Sequence, residues 1–153
     1  MGVIVVGVDG SEESRAALGW AANEARLRTA ALRAVYVYEH TPAWQMYGYG
    51  DMTAPIGIPE RSIEDTAVEA ARHARQLVER MVAQLDDHDL PVEVVVHEDR
   101  RPARALVELA NSAELLVVGS RGRGGFSGLL LGSVSQQCVQ HAHCPVVVLP
   151  PQE

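Results

Sequence analysis

The sequence predicts an α/β fold: a single domain, residues 1–153, built on a doubly wound, mostly parallel five-stranded sheet. Three observations predict it. Five short apolar runs of strand length are separated by segments with helical spacing. Parallel strands need crossover connections, and those helical segments supply them on both faces of a sheet. No internal repeat, low-complexity tract or linker-like shift divides the 153 residues, a length that suits one core.

Val3–Val8 is a continuous apolar run ended by Asp9-Gly10. Ser11 is a good helix N-cap, and Glu12 and Glu13 stand favourably against the helix dipole. Ala17, Trp20, Ala21, Glu24 and Ala25 then follow helical spacing, with Arg26 and Arg28 suited to the C-terminal end. Ala34–Tyr38 reads as the second strand. His40–Pro59 has no period but carries three prolines, three glycines, Trp44, Tyr47 and Tyr49. A loop so long inside a compact domain is usually functional or mobile. Its aromatics could form a lid, cover the sheet edge or pack at a partner surface. From Glu60 to about Asp87, residues Ile63, Ala67, Ala70, Ala74, Leu77, Met81 and Leu85 define one apolar helix face. Pro91–His97 is a valine-rich third strand, and Pro102 opens a short helix carrying Leu106, Val107 and Ala110. Leu115–Val118 and Pro145–Leu149 are the fourth and fifth strands, with Val134–Gln140 able to wind into a helix between them.

Composition narrows the function. Twenty acidic against thirteen basic residues give a net charge of −7, which disfavours nucleic-acid and anionic-membrane partners. All thirteen basic residues are arginine, so a P-loop lysine, a Schiff-base lysine and a lysine-dependent adenylyl transfer are excluded. The N-terminal apolar run lacks a basic lead and meets Asp9 early, so it reads as a strand rather than a signal peptide. Val6 stands where a myristoylation signal wants serine or threonine. No apolar segment approaches the length of a membrane span. Two cysteines, Cys138 and Cys144, are too few for a disulfide framework, so a reducing cytoplasm is expected.

The most informative stretch is Gly119–Ser133, where six glycines stand between a buried strand and a helix start. Glycines let backbone N–H groups approach a phosphate, and a helix N-terminus adds unpaired donors and a positive dipole end. Ser133 is placed as the N-cap, its hydroxyl bonding either the helix backbone or a ligand oxygen. Arg121 and Arg123 add charge beside this cradle.

Gly119, Gly122 and the Gly132-Ser133 pair form G-x2-G-x9-G-S, which resembles the nucleotide signature of ATP-binding universal stress proteins. Val3–Ser11 looks like that family's first strand and turn, and His143–Leu149 like its last strand. The resemblance implies a Rossmann-like, adenine nucleotide alpha hydrolase-like sheet ordered 3-2-1-4-5. Asp9 and Gly119 would then meet at the switch point between strands one and four, where such sheets bind ligands. It also implies ATP as ligand, with magnesium accompanying it, and a homodimer formed by edge strand Pro145–Leu149. The implied binding residues are Gly7, Val8, Asp9, Val37, Gly119, Ser120, Arg121, Gly122, Arg123, Gly125, Gly132, Ser133, Val134 and Ser135. Asp9 would contact the ribose or phosphates, directly or through a metal; the residue alone equally suits an Asx-turn into the helix. Val37 would pair with the adenine edge through its backbone. Ser135 would face phosphates, although a helical serine often bonds only its own backbone.

Other chemistry is thinly represented. Cys138, His141, His143 and Cys144 straddle a helix end and a strand start, whereas zinc ligands usually come in paired, turn-separated sets. Gly7-Val-Asp-Gly10 does not supply the G-x-G-x-x-G of dinucleotide folds. Gly125-Phe-Ser-Gly128 falls one residue short of a nucleophile elbow. With no catalytic set, the expected function is an ATP-dependent switch or sensor in stress response, with at most slow hydrolysis. The rival readings are a nucleotide-independent interaction module and a phosphoryl- or adenylyl-transfer enzyme.

Overall fold

The computed structural model describes residues 1–40, 60–121 and 131–151. Trp44, Tyr47 and Tyr49, and Gly122, Arg123 and Gly125 of the glycine loop, lie outside the described residues. The described elements are β1 (Val3–Gly7), α1 (Glu12–Arg28), β2 (Ala31–Tyr38), α2 (Glu60–Ala83), β3 (Val92–Glu98), α3 (Pro102–Leu109), β4 (Leu115–Gly119), α4 (Ser133–His141) and β5 (Val146–Leu149). They build one sheet ordered β3-β2-β1-β4-β5. Every neighbouring pair is parallel, so the sheet is wholly rather than mostly parallel.

The pleat explains why the strands read as unbroken apolar runs. Ile4 and Val6 of β1, Leu32 and Ala34 of β2 and Leu115 and Val117 of β4 pack beneath α1 and α2. Val5, Val35, Leu116 and Val118 point the other way, onto Ala103, Leu106 and Ala110 around α3 and Cys138 of α4. With both faces covered at the sheet's centre, β1 and β4 carry no polar side chain at either set of alternating positions. Each fully buried valine or leucine contributes about 1.5–3 kcal/mol.

Most strand boundaries shift by a single residue from the sequence expectation, and three differences are informative. β2 begins at Ala31 rather than Ala34, because Arg33 is carried into the sheet opposite Glu93 and pairs with it at 2.7 Å. α2 ends at Ala83, short of Asp87. Its last turn tightens through Gln84 N–H to Met81 O and Leu85 N–H to Val82 O, while Asp87 accepts from Asp89 N–H and from Arg26 of α1. The predicted face survives as Ala74 and Met81, joined by Val78 and with Leu77 and Leu85 half-buried; the side chain of Ile63 lies outside the described residues. The third difference is the N-cap of α4, which is Gly132. Ser133 is the first helical residue.

α1 shows how the sheet centre is covered. Ser14, Ala17, Leu18, Ala21, Ala22 and Ala25 are its buried face, and small side chains let the helix lie close to β1 and β4. It ends at Thr29 in the left-handed conformation, whose N–H reaches back to Ala25 O and Arg26 O. At the sheet's edge, the four residues of β5 are all half-buried. Leu116 N–H donates to Pro145 O and Ser120 N–H to Leu149 O, so odd-numbered residues of β5 turn their peptide groups to β4. By the alternation of a parallel ladder, Val146 and Val148 turn theirs outward.

Candidate functional site

The β1–β4 neighbours sit where the strand order reverses, and a cleft of about 290 Å³ opens there beyond the carboxyl ends of the strands. Gly7, Val8 and Asp9 come from the end of β1, Val35 and Val37 from β2, and Val118 and Gly119 from β4. Arg121, Gly132, Ser133, Val134 and Ser135 close the β4–α4 side.

The β1–α1 turn is built from its own side chains. Asp9 Oδ1 accepts from Ser11 N–H at 2.9 Å, an Asx-turn that Gly10 permits by adopting φ 84°. Ser11 Oγ then accepts from Ser14 N–H at 3.2 Å, and Ser14 Oγ donates to Ser11 O at 2.9 Å. Asp9 therefore has a structural role in addition to its place in the cleft wall. Gly119 is needed for packing as well: a Cβ there would stand 3.0 Å from Glu13 Cβ and 3.3 Å from Glu13 backbone atoms.

The β4–α4 side is assembled differently. Gly132, at φ −72° and ψ 171°, caps α4 with no side chain accepting from the helix's first N–H groups. The first turn thus opens on the cleft with backbone donors and no acidic residue, the arrangement that suits an anion. Ser133 is exposed at this turn. Ser135 is 2% exposed, and its hydroxyl contacts two carbonyls, Ser120 O at 2.8 Å and Gly132 O at 3.1 Å. A hydroxyl facing two carbonyls must donate, so its single proton is already committed. Ser135 can offer a ligand its backbone N–H but no hydroxyl proton.

Of the residues expected at the site, Gly7, Val8, Asp9, Val37, Gly119, Arg121, Gly132, Ser133, Val134 and Ser135 are brought together around the cleft. Ser120 is not among the lining residues: it is 3% exposed, and its Oγ has no hydrogen-bond partner among the described residues. The lining also includes Ser11, Ser14, Val35, Val118, Pro102 and Leu106. Ser11 carried the signal of an N-cap before helical spacing. Pro102 and Leu106 belong to α3, which only the tertiary fold brings over the end of β1.

No three His, Cys, Asp or Glu side chains gather as a metal site among the described residues. Burial pushes the Cys138 thiol up to about 11, with the nearby Cys144 adding to the effect. Burial likewise raises Cys144.

A wholly parallel, doubly wound sheet with a cleft at its switch point, the place where such sheets bind ligands, defines a doubly wound α/β protein. Within that class the chain belongs to the universal stress protein family, which it matches over residues 1–150. It is 35% identical over 149 residues to a universal stress protein of Mycolicibacterium smegmatis, covering 95% of this chain and 47% of that one. It is 40% identical over 150 residues to universal stress protein Mb2019 of Mycobacterium bovis, covering 95% and 43%. The chain spans about half the length of the curated relatives it matches. Among solved structures, hypothetical protein MJ0577 shares the fold with a TM-score of 0.76 at 18% identity, covering 99% of this chain and 97% of that one. A universal stress protein solved in complex with cAMP is 27% identical with a TM-score of 0.58, covering 99% and 98%. No helix among the described residues is long and apolar enough to cross a membrane.

Proposed function

We propose that the chain binds ATP in this cleft and acts in the cytoplasm as a nucleotide-dependent switch or sensor. The observation that carries the reading is the open first turn of α4, facing the cleft beside Arg121 with no side chain or acid occupying its donors. The triphosphate would lie against that turn and the glycine loop, the ribose towards Asp9, and the adenine edge against the backbone of Val37. The 27% identical relative in complex with cAMP supports the adenine part of the assignment. Magnesium would arrive with the phosphates, and Asp9 is the carboxylate lining the cleft that would meet it.

Among the described residues the cleft lining holds neither histidine nor lysine, and β3, with His97 and Glu98, lies at the far edge of the sheet. Phosphoryl transfer needs a positioned nucleophile as well as neutralised charge, so turnover should stay far below about 1 s⁻¹. Assay of co-purifying nucleotide, followed by calorimetry, tests the assignment. The expected Kd is micromolar, about −8 kcal/mol, lost in Gly122→Glu, with slow phosphate release at saturating ATP and magnesium. No ATP binding by the wild-type chain would favour the nucleotide-independent interaction module. Several turnovers per second that vanish in Gly122→Glu would favour the enzyme.

The proposed assembly is a homodimer in which two β5 strands pair antiparallel. Unpaired, an apolar edge strand invites association. Val148→Pro removes an outward-facing N–H while leaving the β4 ladder its donors, so it should shift the chain to monomer. Light scattering that finds wild type monomeric at micromolar concentration would refute the dimer.

A further inference from the structure

We infer that Ser135 is a positioning residue of the cleft: its hydroxyl clamps the open first turn of α4 onto the end of β4 and so sets where that turn's N–H groups aim. The inference rests on the nucleotide reading above and concerns how the same site is held. An uncapped helix end has few ways to fix its orientation. Here Gly132 supplies no side chain, and Gln136 N–H to Gly132 O is the ordinary first helical bond. Among the described residues, the hydrogen bonds that join this turn to the sheet converge on one peptide group, the carbonyl of Ser120, which accepts both Gly132 N–H and the Ser135 hydroxyl. The N–H of the same Ser120 donates to Leu149 O at the end of β5 at 2.8 Å.

Ser120 is therefore the junction at which β4, the edge strand and the anion-facing helix end are tied together. Ser135 is the only side chain among the described residues that reaches this junction by a hydrogen bond. Its burial keeps water from substituting for the bond. Because the proton is spent on carbonyls, the hydroxyl acts through the backbone it holds and not on the ligand.

The test separates phosphate recognition from general stability. Calorimetric affinities for ATP and for adenosine are measured with wild type, Ser135→Ala and Ser135→Thr, alongside thermal unfolding and amide exchange at Gly132. Ser135→Ala should weaken ATP roughly tenfold, the worth of one buried hydrogen bond. Adenosine affinity, which does not use the α4 turn, should change less than about twofold on the same scale. The Gly132 amide should exchange faster, and Ser135→Thr, which keeps the hydroxyl, should restore ATP affinity. Equal losses of ATP and adenosine affinity, or unchanged ATP affinity in Ser135→Ala, would overturn the assignment. If Ser135→Ala does not fold, Ser135→Thr decides: wild-type ATP affinity with a protected Gly132 amide supports the clamp, and lost ATP affinity with that amide still protected overturns it. A wild-type chain that binds neither ligand would instead sink the nucleotide reading itself.

Discussion

The N-terminal turns of α1 and α4 both open on the cleft, one on each side of the switch point, yet they are finished in opposite ways. At α1 side chains take donors of the turn: Asp9 takes the Ser11 N–H, Ser11 takes the Ser14 N–H, and Glu12 and Glu13 answer the dipole. At α4 the cap is glycine, no side chain accepts from the N–H groups of the first turn and no acid stands in it. A glycine cap is only roughly a few tenths of a kcal/mol worse than a serine or aspartate one, so leaving this end open costs little. The two turns teach that a helix N-terminus is an anion site only where the protein has not answered it already.

Giving α4 the finish of α1 is the strongest way to break the contrast. Gly132→Asp adds a capping carboxylate at a φ/ψ that any residue adopts, and takes up the donors proposed for phosphate. ATP affinity should fall roughly a hundredfold, about 2.8 kcal/mol, while the melting temperature holds or rises because aspartate caps well. Calorimetry and melting on one sample check both halves, and unchanged affinity would remove α4 as the anion site.

The next largest effect lies where the two sides touch. Gly119→Ala puts a Cβ against the backbone of Glu13, so α1 must move away from the end of β4. Overpacking of this kind typically costs about 1–3 kcal/mol, which denaturant unfolding would read as a lower midpoint at an unchanged slope. A neutral result would mean that Gly119 serves the ligand alone.

Stripping the α1 cap should give the smallest change. Ser11→Ala loses one side-chain cap, about 1 kcal/mol, or roughly 3 °C in melting temperature for a domain of this size. The same substitution teaches more if the loss is absent, since Asp9 would then be holding the turn alone.

Much of the fold was legible because its signals are local. The runs Val3–Val8, Ala34–Tyr38 and Leu115–Val118 could only be buried strands, and Ser11-Glu-Glu13 marked a helix start where one stands. The glycine signature likewise marked the β4–α4 connection. Ser133 was misplaced by one position because serine is the commoner cap and glycine the silent one. Ser135 read equally as a phosphate contact or a serine bonding its own backbone; its hydroxyl reaches Gly132 O three residues back, and also the Ser120 carbonyl, which lies fifteen residues earlier where no local signal records it. Ser120 read as a binding residue for want of any sign that its side chain turns inward.

The sequence by itself determined the alternation of strands and helices, the absence of lysine chemistry and the family to which the chain belongs, since each depends on residue type and spacing along the chain. Only the tertiary structure decided which donors remain open, which hydroxyl proton is spent, and that Val146 and Val148 rather than Val147 face outward from the edge. Those outcomes depend on hydrogen-bond partners and strand register between segments distant in sequence, and a period or a motif records neither.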